Sequence, residues 1–179
     1  PSTSLDQFSL AAHNCAMTKL KELLLVLVIS VITRVQSSQD VMKSLTLNFG
    51  KPMEVCKKEL DLPDAVTKEF LNFWREGYEV KNRLTGCAII CMSEKLELLD
   101  EGLKLHHGNA KDFAKKHGAD DGMAQQLVDM IHSCMESTPP NTDPCMKTVD
   151  VAMCFKLKIH DLSWNPDPDL IIAEVLAEA

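Results

Sequence analysis

Six cysteines, Cys56, Cys87, Cys91, Cys134, Cys145 and Cys154, constrain this 179-residue chain more than any other feature, once the seventh, Cys15, is set apart. The sequence itself sets it apart. Met17 opens the short basic stretch Thr18-Lys19-Leu20-Lys21, Leu23 to Ile32 is an apolar block broken only by Ser30, and small polar residues follow at Gln36, Ser37 and Ser38. A basic head, a short apolar middle and a small-residue end mark a secretory signal peptide. The block is about half of the roughly 20 residues that a membrane-spanning helix needs. The expected organisation is an upstream extension over 1–16, a signal peptide over 17–37 cut near Ser37–Ser38, and a single mature domain over 38–179. An even six cysteines in an exported chain predicts three disulfides.

Cys87 and Cys91 stand four apart in a stretch of helical period, so both sulfurs point to the same side. Each can tie that helix to a different neighbour, whereas a bond between the two would constrain only one turn. Six cysteines permit fifteen connectivities, and spacing alone does not choose among them. Zinc sites bring short-spaced cysteine pairs twice over, but here there is one Cys-x3-Cys and the other four cysteines are scattered. No metal and no other cofactor is expected.

Charge narrows the function. The chain carries 19 basic and 26 acidic residues, a net charge of −7. Without 1–37 the balance is 16 against 24, or −8, over 142 residues. A nucleic-acid binder needs a basic face to displace counterions, and docking on an anionic membrane needs one too. Neither partner is expected. The 45% of hydrophobic residues is enough to fill one core.

Helical periodicity dominates after residue 38. A first helix through Val41, Leu45 and Phe49 is interrupted near Gly50-Lys51-Pro52 and restarts through Met53 and Val55. Asp61-Leu62-Pro63-Asp64 signals a second, with Val66, Phe70, Phe73 and Trp74 on one side, and a third spans about 80–99. His106-His107-Gly108-Asn109 reads as a loop or short turn before a two-turn helix over 110–117. Asp120-Asp121 caps the next, and the last core helix runs from about Asp143 to His160 after the Pro139-Pro140 loop. Asn165-Pro166-Asp167-Pro168 breaks the chain before the tail Leu170-Ile171-Ile172, whose greasy face also carries Asp169, Glu174 and Glu178. No alternating run of strand length competes, so the class is all-α with six to seven short helices.

The spacing Cys56-x30-Cys87-x3-Cys91-x42-Cys134-x10-Cys145-x8-Cys154 resembles that of insect odorant-binding proteins. Around it stand Ser38-Gln39-Asp40-Val41-Met42, Phe73-Trp74-Arg75-Glu76-Gly77-Tyr78, Gly86-Cys87-Ala88-Ile89-Ile90-Cys91, His106-His107-Gly108-Asn109-Ala110, Phe113-Ala114-Lys115-Lys116-His117-Gly118-Ala119-Asp120 and Met123-Ala124-Gln125-Gln126-Leu127. These are similar to the pheromone-binding proteins of Lepidoptera, and the match spans essentially all of 38–179. The resemblance implies disulfides Cys56–Cys91, Cys87–Cys145 and Cys134–Cys154, and six helices around a flask-shaped hydrophobic cavity. It implies a secreted carrier that takes a long-chain pheromone alcohol, aldehyde or acetate through the sensillum lymph of the antenna. The partner is then a small hydrophobic volatile, with the olfactory neuron membrane and a second copy of the chain as further candidates.

The apolar residues available to line such a cavity are Met42, Phe49, Phe73, Trp74, Ile89, Leu99, Leu105, Phe113, Ile131 and Phe155. Taken singly, each reads as ordinary core. The resemblance assigns Phe49, Phe73, Trp74, Ile89, Phe113 and Phe155 to the ligand, and Ser93 to a hydrogen bond with its oxygenated end. A hydroxyl both donates and accepts, so alcohol, aldehyde and ester heads all remain open. Burying about ten methylenes at roughly 0.8 kcal/mol each gives about 8 kcal/mol before the costs of association.

Release has two expected parts. Imidazole changes charge in mild acid, and the resemblance places His106, His107 and His132 under a lid over the cavity. The tail 166–179 would fill a hollow core well, but burying Asp169 and Glu174 while ionised costs too much, so acid favours its insertion.

Two other classes compete. A small secreted phospholipase would want a His-Asp pair on a cysteine-bearing helix and a glycine-rich calcium loop. His160-Asp161 ends its helix with no such loop before it, so an enzyme is not expected. A helical signalling factor would use its outer surface and need no cavity. Within the resembled family, the alternative is a general odorant-binding protein for plant volatiles.

Overall fold

The computed structural model describes residues 38–178, so the expected extension at 1–16 and signal peptide at 17–37 lie outside the described residues. Residues 38–50 are helical (α1) and bury Val41, Met42 and Leu45 on one face, with Phe49 continuing the stripe. Gly50-Lys51-Pro52 interrupts it as expected, and α2 (Met53–Glu59) restarts after Pro52, burying Met53 and Cys56. Pro63 precedes α3 (Asp64–Asn72), in which Val66 is buried. Asn82 accepts from the Leu84 N–H to start α4 (Arg83–Lys95), which is shorter than the expected 80–99. Side-chain capping at Asn82 and a left-handed Glu97 bound it, and Val80 is buried outside any helix.

The region expected to be a loop at 106–109 is the first turn of α5 (His107–Lys116). Asp120 and Asp143 cap α6 (Asp121–Ser137) and α7 (Pro144–Asp161) by accepting backbone N–H groups, as their positions predict. The tail is helical too, as α8 (Pro168–Glu178). With α1 and α2 taken as one interrupted helix, the described residues hold seven helices, and their only strand-like feature is a bridge between Leu99 and Leu105. The class is all-α.

Cys56–Cys91 joins α2 to α4, Cys87–Cys145 joins α4 to α7, and Cys134–Cys154 joins α6 to α7. The two cysteines of α4 do reach separate partners. Where α4 meets the start of α7 the approach is very close: a Cβ on Gly86 would fall 1.9 Å from the Cys145 carbonyl oxygen. Glycine is therefore required beside the Cys87–Cys145 bond. α5 packs on α6, α6 on α7, and α2 and α3 on α4, while α8 rests against α3.

Candidate ligand-binding site

Three core clusters share the aromatic residues singled out in the sequence. Met42 and Trp74 are buried with Val41, Leu45 and Ile159, and Phe73, Phe113 and Phe155 pack against them half-buried. Phe49 and Ile89 pack on Met53, Cys56, Cys91 and Met92. Phe49 appears again, with Leu105 and Phe113, against Leu98, Ala110 and Val128. Phe49 and Phe113 thus link the clusters into one apolar region built from α1, the end of α3, α4, α5, α6 and α7. Leu99 is half-buried and bridges to Leu105, and Ile131 is half-buried on α6 outside these clusters.

The size order of burial is unusual for a solid core. Its largest fully buried side chains are Met92, Ile159 and Val66, whereas Phe49, Phe70, Phe73, Phe113 and Phe155 all keep partial exposure. Trp74 is the one large ring that is well buried, at 5% exposure. Its indole N–H donates to Thr46 Oγ1 at 2.9 Å, and the Thr46 hydroxyl donates to the Met42 carbonyl at 2.7 Å. That relay satisfies the polar end of the indole and fixes the ring against α1. Phe73 meets Trp74 edge to face, with centroids 4.9 Å apart.

Ser93 lies on α4 at 8% exposure.

The three switch histidines do not form one group. His106 Nδ1 accepts the Asn109 N–H at 3.2 Å and so caps α5. His107 instead faces His132, with ring centroids 5.1 Å apart and planes at 75°. His132 Nε2 lies 3.2 Å from a Glu136 carboxylate oxygen. His107, His132 and Glu136, with Asp100, Lys104, Leu105, Met135 and Lys147, border a half-open cleft of about 360 Å³. The 99–105 loop above it is pinned by the Asp100 carboxylate, which accepts from the backbone of Gly102 and Lys104 at 2.8 and 2.9 Å. Those two N–H groups, the one from Lys104 foremost, hold the Asp100 carboxyl below its usual range.

Two of the tail carboxylates, Asp169 and Glu174, are paired. Asp169 meets Arg75 at 2.7 Å and Glu174 meets Lys43 at 2.6 Å. Ile171 is buried at 4%, while Leu170 and Leu176 are 54% and 68% exposed. Pro166 is fully buried and anchors the preceding strap, and Asp167 caps α8 by accepting from the Asp169 N–H.

Sequence reasoning passed over Thr46 and Lys156. The Lys156 side chain is 3% exposed, and burial pushes its ammonium below the usual lysine range.

Comparison with known proteins agrees with this architecture. The chain is 50% identical over 160 residues, 88% of its length and 97% of the relative's, to Pheromone-binding protein 2 of Epiphyas postvittana. It is 39% identical to General odorant-binding protein 2 of Heliothis virescens, over 88% of this chain and 97% of that one. The crystal structure of Epiphyas postvittana Pheromone Binding Protein 3 superposes with a TM-score of 0.58 at 49% identity, covering 62% of this chain and 95% of that one. Within the 38–158 segment that matches the PBP/GOBP family lie all six disulfide cysteines and Met42, Phe49, Phe73, Trp74, Ile89, Leu99, Leu105, Phe113, Ile131 and Phe155. By helical frame, cross-links and sequence together, the chain belongs to the PBP/GOBP family of pheromone- and odorant-binding carriers, which are not enzymes.

Proposed function

We propose that this carrier takes a long-chain pheromone alcohol, aldehyde or acetate through the extracellular fluid of an antennal sensillum and releases it in acid. The observation that carries the reading is the set of half-exposed phenylalanines packed against a core whose fully buried members are smaller. A solid core would bury its largest apolar side chains first. Rings left short of contacts inside a disulfide-braced shell are what an apolar guest would complete. In this reading Met42, Phe49, Phe73, Trp74, Ile89, Leu99, Leu105, Phe113, Ile131 and Phe155 receive the chain of the ligand, and Ser93 its oxygenated end. Export through the signal peptide at 17–37 would deliver the domain 38–179. No helix of the described residues is long and apolar enough to cross a membrane.

Acid acts at two places. Protonating His106 Nδ1 removes the acceptor that caps α5, and protonating His107 and His132 sets like charges 5.1 Å apart at the ring centroids. Protonating Asp169 and Glu174 dissolves the two ion pairs that hold α8 on the surface. Pairs this exposed are worth about 0–1 kcal/mol each, which suits a tail that must let go.

The test is displacement of a fluorescent apolar probe from oxidised 38–179 by long-chain alcohols, aldehydes and acetates. Displacement at pH 7 that collapses at pH 5 is the expected result. Equal displacement at both values would keep the carrier and discard the acid release, and no probe binding by folded protein would sink both. A general odorant role is favoured by the 39–40% identity to general odorant-binding proteins, and preference for short plant volatiles in the same assay would select it.

A further inference from the structure

Among the described residues Lys156 is the only buried residue with a formal charge. A cation in such a place is costly unless its surroundings replace the water it has lost. No carboxylate lies within ion-pairing distance of it; Glu79 favours the charge only through its field. What surrounds the ammonium is backbone and ring. Nζ donates to the Arg75 carbonyl at 2.8 Å and to the Tyr78 carbonyl at 2.6 Å, and it sits 5.8 Å from the Phe73 centroid and 6.0 Å from that of Tyr78.

These contacts bind α7 to a turn about eighty residues earlier in the chain. The turn leaves α3 after Phe73, closes with the Tyr78 N–H donating to the Arg75 carbonyl at 3.2 Å, and passes through Gly77 at φ +67°. One ammonium holds both carbonyls of that turn and faces the ring that begins it. Phe73 is therefore held from two sides, by the edge of Trp74 at 4.9 Å and by the Lys156 cation. If the site needed only apolar filling, a methionine would provide it without desolvating a charge.

We infer that Lys156 is a positioning residue of the ligand site: by caging its cation between the 75–78 turn and the Phe73 ring, it sets the orientation of that ring toward the ligand. This rests on the carrier reading above. Lys156 need not touch the ligand; its effect passes through Phe73.

The experiment is a double-mutant cycle between Lys156→Met and Phe73→Leu in the 38–179 protein, read by displacement of the fluorescent probe. Lys156→Met should weaken ligand binding about tenfold, the scale of a desolvated cation–ring contact. In the Phe73→Leu background the same change should cost no more than about twofold, because the two residues act as a unit. A loss that persists in full there, or no loss at all, overturns the inference. Should Lys156→Met fail to fold, Lys156→Arg carries the same cycle, its smaller loss again expected to vanish with Phe73. A second readout separates ring placement from bare stability. In protein labelled with 4-fluorophenylalanine, the fluorine line of Phe73 should move in the folded Lys156 variant while those of Phe49 and Phe113 stay in place. An unmoved Phe73 line refutes the inference. If wild-type protein bound no apolar probe the carrier reading would fall, and the fluorine line would still decide whether Lys156 fixes the ring.

Discussion

Ser93, Thr85 and Lys156 are the buried polar and charged residues of the described chain, and their surroundings treat them differently. The Thr85 hydroxyl donates to the Glu69 carboxylate, and Lys156 donates to two carbonyls. Ser93 is buried on α4, and its hydroxyl can both donate to and accept from a ligand oxygen. Ser93→Ala should therefore weaken alcohol, aldehyde and acetate ligands about fivefold, the worth of about 1 kcal/mol, and leave a hydrocarbon of equal length unchanged. Equal losses for both, measured by probe displacement, would remove Ser93 from the site. Nothing in the serine itself points to this proposed role, because a serine on a helix carries no signal; the family resemblance alone assigns it. Lys156 and Thr46 were illegible for the opposite reason. A lysine on an amphipathic helix reads as surface, and a threonine bonding the carbonyl four residues back reads as local. Their partners lie 81 and 28 residues away, where no spacing rule reaches.

Elements were more legible where their ends obeyed common chemistry. Pro63-Asp64, Asp120 and Asp143 placed three helix starts because proline and short acidic side chains suit those positions for local reasons. The start of α5 was missed because its cap is the imidazole of His106, which the usual Ser, Thr, Asp and Asn preference does not include. The tail was legible as a contradiction, greasy and acidic at once, and α8 resolves it by burying Ile171 while Arg75 and Lys43 hold its carboxylates. Because Pro166 is fully buried, a clean test of the tail removes 168–179 and leaves that anchor in place. The truncated protein should bind ligand at pH 7 within about twofold of wild type, since the surface pairs it loses are weak. At pH 5 it should retain the ligand that wild type sheds. Undiminished acid release after truncation would assign the switch to His106, His107 and His132 instead.

At the scale of the whole molecule the cross-links interleave: the 56–91 loop overlaps 87–145, which overlaps 134–154. In the chain-entropy account each closure is worth about 3–4 kcal/mol, which would help offset the packing lost in the hollow core that the carrier reading requires. Acid then acts on stability as well as on the proposed release, and the two can be separated. Burial foremost, then the charges of Lys116 and Lys51, lowers the pKa of His117; burial foremost, then Lys156, lowers that of His160. His160 Nε2 is buried without a partner. Both groups bind protons more readily unfolded than folded, so the stability they preserve is present above the ordinary imidazole value of 6.5 and is lost as pH falls through their lowered values. Asp64, Asp100, Asp121, Asp143 and Glu79 are shifted down from 3.8 or 4.5, so their contributions fade only in stronger acid. Among these shifted groups, the interval between pH 7 and pH 5 therefore belongs to His117 and His160. The urea midpoint of oxidised 38–179 should fall across it, and replacing His117 and His160 together by Asn should flatten that slope whatever it does to the midpoint at pH 7. Because neither residue holds α8 or the cleft between His107 and His132, ligand release should keep its pH dependence in the same variant. An unchanged slope would place the acid sensitivity of the fold elsewhere, and a lost release profile would mean that folding and release share one sensor.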